Sequence, residues 1–157
     1  MLIISHRGNL NGPDKSNENN PEHIDRIISE NLVFDVEIDL RVHKQKLYLG
    51  HDECEYVINQ EWLFQHVAHL WIHCKNAEAL RYCSQLEFFP HYFWHNTDDY
   101  TLTNKNIIWA YPGKTKVDDF TVLVMPEQYW NTKVIEEIQP FGVCTDYVET
   151  YKYINKT

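Results

Sequence analysis

The sequence predicts an α/β fold built on a parallel sheet. Two patterns predict it: short apolar runs of strand length recur along the chain, and segments with one apolar helical face fall between them. The number of runs adds a third observation. Eight occur, at Leu2 to Ser5, Val33 to Val42, Lys46 to Gly50, Leu70 to Cys74, His91 to His95, Ile107 to Ala110, Thr121 to Met125 and Phe141 to Thr145. Eight is the strand count of a (β/α)8 barrel, a fold that usually needs about 250 residues. With 157 residues, the expectation is a TIM-type barrel in minimal or incomplete form with several helices missing. It would be a single domain over residues 1–157, and a homodimer could cover any side left open.

Helices are expected at Pro21 to Asn31, where Ile24, Ile27 and Ile28 share one face, and at Glu61 to Ala68, Ala77 to Leu86 and Thr132 to Ile138. Asn96 to Asn106 and Tyr111 to Phe120 are rich in Thr, Asn, Asp, Lys, Pro and Gly. They read as loops where a full barrel places helices.

Lys plus Arg number 14 against 23 Asp plus Glu, a formal charge of −9 that repels a nucleic-acid backbone while leaving room for a single phosphate in a local basic pocket. No C-x-x-C pair links Cys54, Cys74, Cys83 and Cys144, so reduced thiols are expected rather than a zinc knuckle or redox motif. The first residues lack the pattern of a signal peptide, and no apolar stretch is long enough to span a membrane. A cytoplasmic protein is the resulting expectation.

Asp35 to Val42 alternates strictly, with Val36, Ile38, Leu40 and Val42 on one face and Asp35, Glu37, Asp39 and Arg41 on the other. In a half-exposed antiparallel strand the acidic face would simply meet water. In a barrel it would point inward, and two converging carboxylates would require a cation such as Mg²⁺, Ca²⁺ or Mn²⁺. Trp71, His73 and Lys75 share a face in the same way: His73 is either a hydrogen-bonded core histidine or a metal ligand, and Lys75 either ends its strand in water or holds a phosphate oxygen. Ser5-His6-Arg7-Gly8 and Leu49-Gly50-His51-Asp52 each set a His just past a strand end, where active sites of parallel α/β folds collect. Two such imidazoles can divide acid and base work, and the Arg7 fork suits phosphate oxygens.

This ordered set resembles the glycerophosphodiester phosphodiesterases, a family of the phospholipase-C-like phosphodiesterase superfamily of TIM barrels. The resemblance rests on His6-Arg7-Gly8, Glu18-Asn19, Glu37-Ile38-Asp39 and His51-Asp52. It continues in Trp71-Ile72-His73-Cys74-Lys75, where His73 stands in place of the family's Glu, and in Thr145-Asp146 near the end. It implies a metal-dependent hydrolase of small glycerophosphodiester-like substrates, with His6 and His51 as acid and base. Glu37, Asp39 and His73 would be the metal ligands, Arg7 and Lys75 the phosphate contacts, and Glu18 a support that orients Arg7 or a metal-bound water. Imidazole in place of a carboxylate removes a negative charge, which disfavours Ca²⁺ and relatively favours Mn²⁺ or Zn²⁺. Two alternatives accompany this reading: a phosphate-binding module on the same barrel without catalysis, and an unrelated His-rich metal hydrolase using His73 and His95.

Overall fold

The structure is a computed structural model that describes residues 1–87 and 90–154. Its elements run β1 (Leu2–His6), α1 (Pro21–Ser29), β2 (Asp35–His43), β3 (Lys46–Leu49), β4 (Tyr56–Ile58), α2 (Gln60–His66), β5 (Leu70–Cys74) and α3 (Ala77–Ser84). They continue with β6 (His91–Trp94), β7 (Tyr100–Leu102), β8 (Ile108–Ala110), β9 (Thr121–Val124), α4 (Thr132–Ile138), β10 (Gly142–Thr145) and α5 (Val148–Ile154). Asparagine opens four of the helices: Asn20, Asn59, Asn76 and Asn131 each accept main-chain N–H bonds from the first turn.

The fold is mixed α/β around one curled sheet. Side by side stand β6, β5, β2, β1, β10, β9 and β8, each parallel to the next. At one edge β6 meets the turn between β7 and β8: the Asn104 main-chain N–H donates to the Tyr92 carbonyl at 3.0 Å, and the Tyr92 N–H donates to Asn104 Oδ1 at 2.9 Å. On the outer face Val36, Ile38, Leu40 and Ile72 pack against Ile24 and Ile27 of α1 and Ala79 and Cys83 of α3, all essentially buried. Leu123 and Val143 do the same against Ile135 of α4 and Tyr151 of α5. The inner face is filled by Ile4, Trp71, Phe93, Trp109, Val122, Val124 and Cys144, a cluster with no helical member. Rings from separate strands meet inside it, Trp71 with Trp109 at 5.8 Å between centroids and Phe93 with Trp109 at 4.5 Å. Among the described residues, no helix is long and apolar enough to cross a membrane.

The expected strands and helices recur, with several differences, among them β4, a strand where the sequence reading places no element. Lys46–Leu49 is not a wall strand of the parallel set; it folds back antiparallel on the end of β2, and β4 pairs antiparallel beyond it. The stretch 96–106 contains β7, antiparallel to β8. The seven residues of α5 form a helix where the sequence reading places no element. Between β8 and β9 the chain runs as turns and irregular backbone, as expected for 111–120.

Candidate active site

Alternation in β2 settles which way its polar residues face. Val36, Ile38 and Leu40 belong to the outer core, so Glu37 and Asp39 point to the inner face near the strand's carboxyl end, where both are buried. Asp39, fully buried, is the hub. Its Oδ2 forms an ion pair with Arg7 Nε at 3.0 Å and accepts the Asn19 amide at 2.9 Å; its Oδ1 faces His73 Nδ1 at 3.3 Å and Lys75 Nζ at 3.7 Å. The Asn19 side chain also accepts the Asp39 N–H at 2.9 Å, so one amide clamps both backbone and carboxylate. Burial alone would raise the Asp39 pKa, but the His73 contact and the charges of Arg7 and Lys75 outweigh it and hold the carboxyl well below its usual range.

Arg7 follows β1 in the left-handed region, φ 56°, a conformation that turns its side chain from the strand end toward Asp39. Its Nη1 reaches Glu18 Oε2 at 3.2 Å. Glu18 thus pairs with Arg7, and it also accepts a bond from Asn9 at 3.1 Å.

His6 ends β1. Its Nδ1 lies 2.7 Å from Asp146 Oδ1, and its Nε2 faces Glu37 Oε2 at 4.0 Å. Burial lowers the His6 pKa, but the Asp146 hydrogen bond and the Glu37 charge raise it above the ordinary value. Asn9 in turn donates to Asp146 at 2.8 Å, fixing the carboxylate that fixes the imidazole. His51 sits on the turn after β3, its Nδ1 2.7 Å from the solvent-facing Asp52.

Glu37, Asp39 and His73 each offer a ligand atom, all within 4.8 Å of one another. His73 Nε2 is 2.6 Å from the His95 carbonyl, which can only accept, so this nitrogen carries hydrogen and Nδ1 turns to the two carboxylates. Burial opposes charge on His73, but Asp39 and Glu37 push its pKa up to about 9. A proton therefore occupies Nδ1 at neutral pH, and a metal ion must displace it. Glu37 Oε2 and Asp39 Oδ1 are buried without hydrogen-bond partners, which suits them to a divalent cation. The residues present fit such an ion.

His6, Arg7, Glu37, His51, His73 and Lys75 line one cleft of about 80 Å³, with Asp39 beneath it. All eight residues singled out from sequence thus gather at the carboxyl ends of β1, β2 and β5 or on the loops beside them. His95, weighed as a ligand in the His-rich alternative, lies beside His73 but points its Nε2 to the Asp98 carbonyl at 2.6 Å. A larger cavity of about 510 Å³ lies on the other side of Asp146 among Trp130, Tyr147 and Glu127; among the described residues no Lys or Arg lines it, so it does not suit phosphate. The sequence reading missed the roles of Asn9, Asn19, Arg41 and Asp146. Asp146 was within reach, because it follows the end of β10 as His6 ends β1, and the strand-end rule that singled out His6 applies to it equally.

No protein-family model, curated protein or solved structure matches this chain.

Proposed function

We propose that this chain is a metal-dependent phosphodiesterase of the glycerophosphodiester phosphodiesterase type, acting on small diesters from a minimal (β/α)8 barrel. The observation that carries the reading is the meeting of two histidines, two cationic side chains and a carboxylate–imidazole group in one cleft. Glu37, Asp39 and His73 would hold the divalent ion, which when bound supplies Lewis acidity at a phosphoryl oxygen. Arg7 and Lys75 bind the phosphate and neutralise charge developing on it. His6, sheltered and carrying its proton on the side of Asp146, and His51, at the open side, exchange protons with the leaving alkoxide and the nucleophile. A cleft of about 80 Å³ takes in the phosphate and leaves the alcohol arms outside. The four free cysteines fit a reducing cytoplasm.

One observation favours a second reading, phosphate binding without turnover: the proton on His73 offsets part of the charge of Asp39 and Glu37, so an ion must compete with it for the site. Hydrolysis of bis-p-nitrophenyl phosphate and glycerophosphocholine with Mg²⁺, Mn²⁺, Ca²⁺ or Zn²⁺ separates the two. The enzyme reading expects turnover best with Mn²⁺ or Zn²⁺, falling by about 10²-fold or more in both His6→Ala and His51→Ala. Phosphate binding with no turnover under any metal overturns it in favour of the second.

A further inference from the structure

The two histidines of the cleft are anchored differently. His6 is held through its ring by Asp146, which arrives from a different strand and is itself tied to Asn9. Among the described residues the His51 ring bonds only to its neighbour Asp52, a residue 86% exposed that moves with the same turn. Nothing in that pair fixes the imidazole relative to the rest of the cleft, so the position of His51 depends on what fixes its main chain.

Arg41 supplies that anchor. Two residues beyond Asp39 on β2, it turns its guanidinium toward the end of β3, where Nε donates to the Gly50 carbonyl at 3.0 Å and Nη2 donates to the His51 carbonyl. The Gly50 N–H donates to the Asp39 carbonyl at 3.0 Å, so β2 grips the turn at three points. The strand that bears Glu37 and Asp39 therefore also sets the distance from them to His51. We infer that Arg41 is a positioning residue for His51, locking the second histidine of the cleft in register with the carboxylates on its own strand. The inference rests on the phosphodiesterase reading for its catalytic consequence, though not for its geometry. A planar fork spans two adjacent carbonyls, whereas a lysine ammonium on a flexible stem does not hold both in one orientation.

The test uses the full chain with Arg41→Lys and Arg41→Gln, followed by hydrolysis of bis-p-nitrophenyl phosphate and by the imidazole Cε1–H NMR signals of His51 and His6. Expected are a fall in kcat of about 10- to 100-fold with KM within about twofold, a larger loss for Gln than for Lys, and partial recovery of Arg41→Gln on adding free guanidinium ion. The His51 signal should shift or broaden in both variants while that of His6 stays in place. An unmoved His51 signal in a folded Arg41→Gln protein overturns the inference, whatever the activity. So does an equal change at both histidines, because that reports general loosening. A wild-type chain with no turnover sinks the phosphodiesterase reading alone, since the His51 signal still decides what Arg41 does; if Arg41→Gln does not fold, the Arg41→Lys spectrum decides it.

Discussion

Asp146 shows how much a single carboxylate can set in this site. It takes His6 Nδ1 at 2.7 Å and is itself held low, because the His6 bond and charge outweigh the effect of its burial. The pair shares one proton in a water-poor setting, so His6 keeps its hydrogen on the Asp146 side and presents Nε2 to the cleft. Asp146→Asn retains an acceptor oxygen for His6 and for Asn9 but removes the charge that favours imidazolium. The His6 pKa should therefore fall, and under the proposed phosphodiesterase reading turnover should drop by about 10²-fold or more. An NMR titration of the His6 Cε1 proton checks the first part; a His6 that titrates alike in both proteins would show that Asp146 does not control it. His73 illustrates the same rule with two carboxylates instead of one, which is why its proton is held to about pH 9.

At the scale of elements, β2 was the most legible segment, because strict alternation leaves one assignment of faces once helices cover the outside. The placement of Glu37 and Asp39 followed from that parity, and that of His6 from the strand-end rule, whereas His51 reaches the cleft because antiparallel β3 runs back toward Asp39. What escaped the sequence were partnerships. Lys46–Leu49 looks like any other short strand, and the hairpin joining it to β2 turns at Lys44 and Gln45, with φ 48° and 62°. A two-residue hairpin usually announces itself by Asn-Gly or Asp-Gly at such positions, and here that signal is missing. Helix α5 was equally hidden: seven residues with Val, Thr and two Tyr have weak helix propensity, and it forms because Val148 and Tyr151 bury one turn apart. Asn19 carried no periodic signal at all, since its clamp on Asp39 joins a loop to a strand 20 residues away. One glycine limits what β3 can do. A Cβ on Gly50, at φ 149°, would collide with the Glu53 carbonyl oxygen. Gly50→Ala must therefore shift backbone, and a loss of about 1–3 kcal/mol in urea unfolding is expected, with the His51 turn displaced. An alanine variant as stable as the parent would mean the turn has room to relax.

Across the whole molecule, the inner face of the sheet holds ionisable groups at both ends under opposite conditions. The carboxyl ends of the strands pair acid with base, so Glu37 and Asp39 find cations. Toward the opposite end, Asp35 lies buried with the Trp71 indole as donor, and His91 stacks on the same Trp71 at 3.7 Å with its Nδ1 buried and unbonded. Burial pushes Asp35 up to about 6, against hydrogen bonding from Trp71 and the His69 charge, while burial and Lys105 push His91 down to about 4. Both groups are thus neutral in the folded chain near pH 5. In the unfolded chain at that pH, Asp35 has lost its proton and His91 has gained one. The two effects on stability oppose each other: Asp35 costs stability as pH rises from about 4 to 6, and His91 costs stability as pH falls from about 6.5 to 4. Between those limits they largely cancel. Asp35→Asn removes one side of the balance while keeping a side-chain oxygen beside Trp71. The variant should match the parent near pH 3, where the carboxyl is protonated in both states, and gain on it through pH 6. Above that pH the advantage should hold constant at about 1–2 kcal/mol, after discounting for partial solvent screening. Urea midpoints at pH 4 and pH 7.5 measure the difference directly. A gap that is the same at both values would mean that the folded protein does not hold Asp35 neutral, and that the buried end of the sheet admits its charge.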